Sequence, residues 1–100
     1  MDGKLLAFIE IFVESQQMDD VIDSLSKFES LEELYEVTGE FDLIMMVSAS
    51  DIEELRDILN NKIAKVKGIK STVSSIVLKP YKGPKCQENK PPILSTEASL

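Results

Sequence analysis

The stretch Leu34-Tyr-Glu-Val-Thr-Gly-Glu-Phe-Asp-Leu-Ile-Met-Met-Val47 places a short polar turn between two apolar runs. The turn is built on Thr38, Gly39, Glu40 and Asp42, and Gly39 can adopt the positive φ of a tight hairpin without steric cost. A hairpin requires only the glycine, yet polar and aromatic residues surround it. The pattern therefore predicts two antiparallel strands and a candidate binding site at their junction.

Outside this hairpin the chain alternates strand-like and helix-like periodicity. Asp51, with Glu54 three residues later, has the pattern of a capping box at the start of a helix, and Gly68 is a suitable residue to end that helix. The predicted elements, in chain order, are a strand over 5–14, a helix over 19–28, strands over 31–37 and 41–48, a helix from 50 to about 67, and a strand over 71–79 that ends at Pro80.

This order, β-α-β-β-α-β, predicts an α+β protein with the ferredoxin-like fold, in which both helices cover one face of a four-stranded antiparallel sheet. We expect one domain over residues 1–82 and a flexible C-terminal tail over 83–100, because the composition changes to proline and small polar residues there. Phe8, Phe12 and alternate residues of 44–47 would line the uncovered face. An exposed apolar face of this kind predicts a homodimer or a larger assembly.

Composition limits the classes of function. The net charge is −7, so the chain should repel nucleic acid, and we expect no direct binding of DNA. No apolar run is long enough to cross a bilayer, and the N-terminus lacks the pattern of a signal peptide, so no membrane association is expected. The single cysteine, Cys86, cannot form an internal disulfide, which favours the reducing cytoplasm.

Catalytic chemistry is not predicted. The chain has no histidine, the commonest general base, and Cys86 falls in the tail, away from any helix N-terminus that would lower its pKa. The adjacent carboxylates at 19–20 and 32–33 diverge in a helix or strand and are better explained as solvated. We therefore expect no catalytic residue, no metal site and no cofactor.

Three motifs resemble one known family. The segment 37–44 is similar to the V-x-G-x-[YF]-D hairpin of the effector domain of Lrp/AsnC transcription regulators, and Asp51 with Leu55 matches the following helix. Gly68-Ile69, Thr72, Ser74 and the segment 76–78 resemble the closing strand of that family, although Ser74 replaces the more usual threonine. The resemblance spans residues 5 to about 80. Family regulators carry a helix-turn-helix domain before this module, and the first strand here starts at Leu5, so the chain resembles the stand-alone effector (RAM) domains.

This resemblance implies a regulatory module that binds a small amino acid near the hairpin turn, between subunits. Such domains pair through their sheets into dimers, and the dimers assemble into larger oligomers. Full-length Lrp/AsnC regulators are implied as possible partners. The ligand-binding residues that the resemblance and the turn chemistry together suggest are Thr38, Gly39, Glu40, Phe41, Asp42, Thr72 and Ser74.

Two other functions remain open from the sequence. One is an assembly adaptor that joins full-length regulators through the same sheet and has no ligand of its own. The other is a small oligomeric enzyme of the dimeric α+β barrel type, which commonly relies on histidine or on a Tyr–Asp pair. Amino-acid titration separates the binding module from the adaptor, and turnover assays test the enzyme.

Overall fold

The computed structural model describes residues 4–83, which form a four-stranded antiparallel sheet in the order β2-β3-β1-β4. The elements are β1 (Leu5–Val13), α1 (Met18–Leu25), β2 (Leu31–Glu36), β3 (Leu43–Ala49), α2 (Ile52–Asp57) and β4 (Ile69–Ile76). A 3₁₀ turn (Ser15–Gln17) precedes α1, and a π-helical turn (Ile58–Lys62) and a 3₁₀ turn (Ile63–Lys65) follow α2. The ferredoxin-like prediction is confirmed.

The tail from residue 84 onward, with Cys86, lies outside the described residues, so the boundary after residue 82 stays a prediction. Within residues 4–83 no helix combines the length and the apolar character needed to span a bilayer.

The core lies between the sheet and the two helices. Along β1 every second residue is buried, and these residues pair with buried residues of β3: Ala7 with Val47, Ile9 with Met45, and Ile11 with Leu43. The helical layer contributes the buried side chains of Val21, Leu25, Leu55, Ile58 and Ile63. Strand periodicity thus separates one face of the sheet from the other, as the alternation predicted.

The opposite face of the sheet, which we call the open face, is not covered by any described residue. Its paired positions are Leu6, Phe8, Glu10 and Phe12 of β1, Ile44, Met46 and Ser48 of β3, Glu33 and Tyr35 of β2, and Ser71, Val73 and Ser75 of β4. Phe8 is 39% exposed and Val73 is 50% exposed. The uncovered apolar face predicted from the sequence is therefore present.

The predicted bounds of the fourth strand were wrong at both ends. Pairing begins earlier because the Glu14 backbone N–H donates to the Gly68 carbonyl at 2.8 Å and a bulge between Phe12 and Val13 brings Ile69 opposite Val13. Pairing ends at Ile76, opposite Ala7, three residues before the predicted end. The last hydrogen bond runs from the Val77 N–H to the Leu6 carbonyl at 2.8 Å, and Leu78 is 96% exposed.

The second helix is shorter than predicted. The sequence stripe suggested one α-helix as far as residue 67, but the α-helical part ends at Asp57 and a π-helical turn follows. Leu55, Ile58 and Ile63 are the buried residues of this segment. Ile58 and Ile63 are five residues apart, a spacing that a regular α-helix would place on different faces and that one π turn restores to the same face.

The predicted capping box of α2 is confirmed, with one difference. The Asp51 carboxylate accepts a hydrogen bond from the Glu54 backbone N–H at 2.8 Å. Glu54 reaches one residue further back than expected, because its Oε1 accepts from the Ser50 backbone N–H at 2.6 Å. The Ser50 contacts lower the pKa of Glu54, so the cap remains ionised at neutral pH.

Two glycines give a matched test of the packing between the sheet and α1. Gly68 has φ +103°, and a Cβ there would lie 2.5 Å from the Gln17 Cβ and 2.8 Å from the Val21 Cγ2. Gly39 has φ +130°, but a Cβ there would meet nothing within 4 Å. We expect Gly39→Ala to lower the free energy of unfolding by about 1–2 kcal/mol from backbone strain, and Gly68→Ala by about 3 kcal/mol because overlap with α1 adds to the strain.

Urea unfolding followed by circular dichroism measures the free energy of unfolding of both glycine variants. Equal losses of stability in the two variants would show that α1 does not pack against Gly68 as described.

Candidate functional site

The turn between β2 and β3 is a closed loop over residues 37–42. The Val37 N–H donates to the Asp42 carbonyl at 3.0 Å, which closes the loop, and the positive φ of Gly39 lets the backbone reverse direction. Thr38, Gly39 and Glu40 form an exposed tip. The structure therefore brings the five predicted turn residues together, as the sequence indicated.

Asp42 attaches this turn to the end of β1. Its backbone N–H donates to the Ile11 carbonyl at 3.0 Å, and its carboxylate Oδ2 accepts from the Val13 N–H at 2.8 Å. A bulge at Lys70 of β4 lies opposite Phe12 and Val13, at the point where the carboxylate contacts β1. We call this pair of hydrogen bonds the Asp42 clamp. Asp42 thus uses one carboxylate oxygen within its own chain, a contact that sequence reasoning missed because the partner is a backbone group 29 residues away.

Phe41 is held from the side of the open face. Its ring meets the Phe12 ring edge to face, with centroids 6.2 Å apart and an interplanar angle of 76°. Such edge-to-face pairs are among the favoured aromatic arrangements. Phe41 therefore fixes the turn against β1, next to the Asp42 clamp, and both residues of the pair are half-buried.

Thr72 and Ser74 lie on the other side of β1. They pair with Ile11 and Ile9, so β1 separates them from the turn, and neighbouring strands are about 4.8 Å apart. Both residues are exposed, although their positions are on the helix side of the sheet. Within one copy, the structure does not bring Thr72 and Ser74 into contact with the turn.

A recess beside the end of β1 was not predicted. Its volume is about 370 Å³, and it is lined by Glu14, Ser15, Gln16 and Gln17. Glu14 follows directly after Val13, so the recess borders the strand end that Asp42 holds. The lining is polar and largely exposed, and the sequence signal, four consecutive polar residues after an apolar strand, is common at strand ends.

Comparison with protein families decides what kind of domain this is. The model of the Lrp/AsnC ligand binding domain matches residues 6–85, four-fifths of the chain. The chain belongs to the Lrp/AsnC family. The family resemblance carried by the turn, the α2 start and the closing strand is thus confirmed.

Relatives and solved structures are consistent with this assignment. An HTH-type transcriptional regulator of Pyrococcus horikoshii is 38% identical over 74 residues, which are 74% of this chain and 47% of the regulator. The crystal structure of TTHA0845 from Thermus thermophilus superposes with a TM-score of 0.74 at 25% identity, covering 79% of this chain and 99% of that one.

A transcriptional regulator of Neisseria meningitidis in complex with L-Met has a TM-score of 0.75 and covers 79% of this chain and 53% of its own. At 23% identity this likeness shows the fold alone. The chain spans about half the length of the curated relatives that it matches.

The Asp42 clamp of this Lrp/AsnC domain can be tested with two substitutions. Asp42→Ala leaves the part-buried Val13 N–H without its acceptor, and we expect a loss of about 2 kcal/mol in the free energy of unfolding. Asp42→Asn keeps an oxygen acceptor but removes the charge, so we expect a loss of about 1 kcal/mol, since charge-assisted hydrogen bonds are roughly twice as strong as neutral ones.

Amide hydrogen exchange followed by NMR gives the local readout of the clamp. The Val13 amide should exchange faster in Asp42→Ala than in Asp42→Asn, while the Ile9 amide, away from the clamp, serves as the reference. Unchanged protection of Val13 in Asp42→Ala would disprove the clamp.

Proposed function

We propose that this domain is the amino-acid-sensing module of a transcription regulatory system, that it assembles through its open face, and that it does not itself bind DNA. The observation that carries the proposal is the match of a ligand-binding domain to residues 6–85, which includes the whole polar turn. The similar regulators of Pyrococcus support the link to transcription. The Neisseria regulator, which shares this fold, is in complex with L-Met, and an amino acid is the class of ligand that we propose for this domain.

The turn has groups that suit both ends of a free amino acid. Backbone N–H groups around Gly39 suit the ligand carboxylate, as they do in other turns that bind anions. Glu40 is exposed and has no hydrogen bond or ion pair with any residue in 4–83. Its carboxylate, or the second oxygen of Asp42, suits the ligand ammonium through a charge-assisted hydrogen bond.

A complete site needs residues from a second copy. Thr72 and Ser74 are exposed and are separated from the turn of their own copy by β1. Their hydroxyls fit the proposed site as groups that a neighbouring subunit contributes. Binding of the amino acid at this junction would then couple ligand concentration to assembly, since the ligand would stabilise the contact it bridges.

The charge of the chain supports an indirect role in transcription. The chain has a net charge of −7 and would repel the negatively charged phosphate backbone of DNA. We therefore propose that partner regulators of the same family bind the DNA. This role places the domain in the cytoplasm. The relatives are named as regulators, which supports a non-enzymatic function.

The ligand site predicts selective binding of a small amino acid. Isothermal titration of the full chain with each of the twenty amino acids should give at least one that binds below millimolar. We expect Glu40→Gln or Asp42→Asn to lower its affinity tenfold to a hundredfold, the effect of about 1.5–3 kcal/mol for one charge-assisted hydrogen bond. A loss in Glu40→Gln identifies Glu40 as the ammonium partner. A loss in Asp42→Asn identifies Asp42 only if the Val13 amide stays protected, because this substitution also weakens the Asp42 clamp.

Two further variants complete the titration. Thr72→Val keeps the shape and removes the hydroxyl, and should weaken binding if that group contacts the ligand. Glu53→Gln, on the exposed surface of α2, is the control with the same change of charge. If no amino acid binds below millimolar, or if both turn variants bind as wild type does, the proposed site is wrong.

The open face predicts self-association. Phe8→Asp puts a charge into the apolar face, and we expect the dimer to dissociate at least about tenfold more readily because that carboxylate would be buried on pairing. Ile52→Asp is the control, because Ile52 is about as exposed as Phe8 but lies on α2, away from the open face. The exposed fractions are 48% for Ile52 and 39% for Phe8. Light scattering at micromolar concentration measures the mass, and a wild-type monomer would contradict the assembly part of the proposal.

A further inference from the structure

One carboxylate lies at the middle of the open face. Glu10 is the sixth of nine residues of β1, an inner strand of the sheet, and it pairs with Ile44 on one side and Val73 on the other. Phe8 and Phe12 are its neighbours on the same face of β1. Glu10 is half-buried, and within residues 4–83 its carboxylate has no hydrogen bond and no ion pair.

The other acids near this face differ from Glu10. Glu33 accepts a hydrogen bond from the Tyr35 hydroxyl at 3.2 Å, and Glu32 accepts one from the Ser48 hydroxyl at 2.7 Å. The Glu33 carboxylate raises the pKa of Tyr35, so the Tyr35 hydroxyl stays protonated and remains a donor at neutral pH. Glu10 is thus the acid of this face that lacks a donor among the described residues.

The described strands offer no cation to Glu10. The paired positions of the open face include two charged residues, Glu10 and Glu33, and both are acidic. Lys70 lies at the β1–β4 bulge, outside the paired positions and three residues from Val73, which is about 10 Å along a strand. A partner that covers this face would therefore bury the unpaired Glu10 carboxylate, unless that partner supplies a hydrogen-bond donor or a cation.

We infer that Glu10 selects the partner of the open face: a second copy of this chain pairs through it, but less tightly than a related domain that carries Lys or Arg opposite Glu10. The inference rests on the sheet-to-sheet pairing proposed above. When two copies pair about a two-fold axis through the middle of the sheet, their Glu10 side chains approach each other in an apolar layer, where two carboxylates repel and lose water. A lysine or arginine of the partner opposite Glu10 would replace that repulsion with an ion pair surrounded by apolar side chains.

Charge-swap variants of the full chain test this inference. Sedimentation equilibrium should show Glu10→Gln dimerising at least about tenfold more tightly than wild type, because two unpaired charges leave the interface. Glu36→Gln is the control for net charge, since Glu36 is an exposed acid that pairs with Leu43 on the helix side of the sheet.

A mixing experiment then measures partner choice. Native mass spectrometry of an equimolar mixture of wild type and Glu10→Lys should show more mixed dimer than random pairing gives. A mixture of wild type and Glu36→Lys, which has the same net charges, should show only the random proportion.

The outcomes separate the inference from the proposed function. If Glu10→Gln dimerises no more tightly than wild type, or if the Glu10→Lys mixture pairs at random, Glu10 does not select the partner while the sheet pairing stands. If no variant associates at any concentration tested, the sheet pairing itself is wrong and the inference falls with it. Amino-acid titration judges the ligand site in either case.

Discussion

The alternation of β1 is the constraint on which the rest of the structure depends. This strand lies between β3 and β4, so both of its backbone edges are hydrogen-bonded. One of its faces contributes to the core, and the other belongs to the open face. Ile9 and Ile11 are fully buried under the helices, whereas Glu10 between them points to the open face. A shift of one residue in register would exchange these faces, because the side-chain period of a strand is two. The core, the contact with the turn and the open face are therefore all set by the same nine residues.

The end of β1 contacts the turn that carries the proposed ligand site. The Asp42 clamp joins the turn to Ile11 and Val13, and the Phe41–Phe12 ring pair holds the same turn from the open face. A movement of the turn would thus be transmitted to β1 through a backbone hydrogen bond, a carboxylate and an aromatic contact. Since Phe12 also belongs to the open face, a ligand at the turn and a partner on the sheet would act on one shared strand end. This arrangement gives the proposed sensing and assembly a common physical element.

The sequence predicted what periodicity controls. The six elements, their order and the uncovered apolar face all follow from runs of alternating or helically spaced residues, and the capping pair Asp51 and Glu54 marked the start of α2. The sequence did not predict features that depend on tertiary packing or on residues far apart in the chain. The early start of β4 requires a bulge in that strand at Lys70, the π turn after α2 follows from packing of Ile58 and Ile63, and the Asp42 contact joins residues 29 apart. The five turn residues are together, but the relation of Thr72 and Ser74 to them depends on subunits that one sequence does not describe.

An apolar face drives association but does not by itself distinguish one partner from another, because burial of apolar surface is non-directional. Specificity arises where an unsuitable partner leaves a polar group without its hydrogen bond or ion pair. On this sheet Phe8 and Val73 supply apolar area, and Glu10 supplies the group that an unsuitable partner would leave unpaired. A single charge at the centre of the sheet would bias which domains pair, because burial of an unpaired charge is costly. The strength of the open face and its choice of partner are thus separable, the first carried by the apolar residues and the second by Glu10.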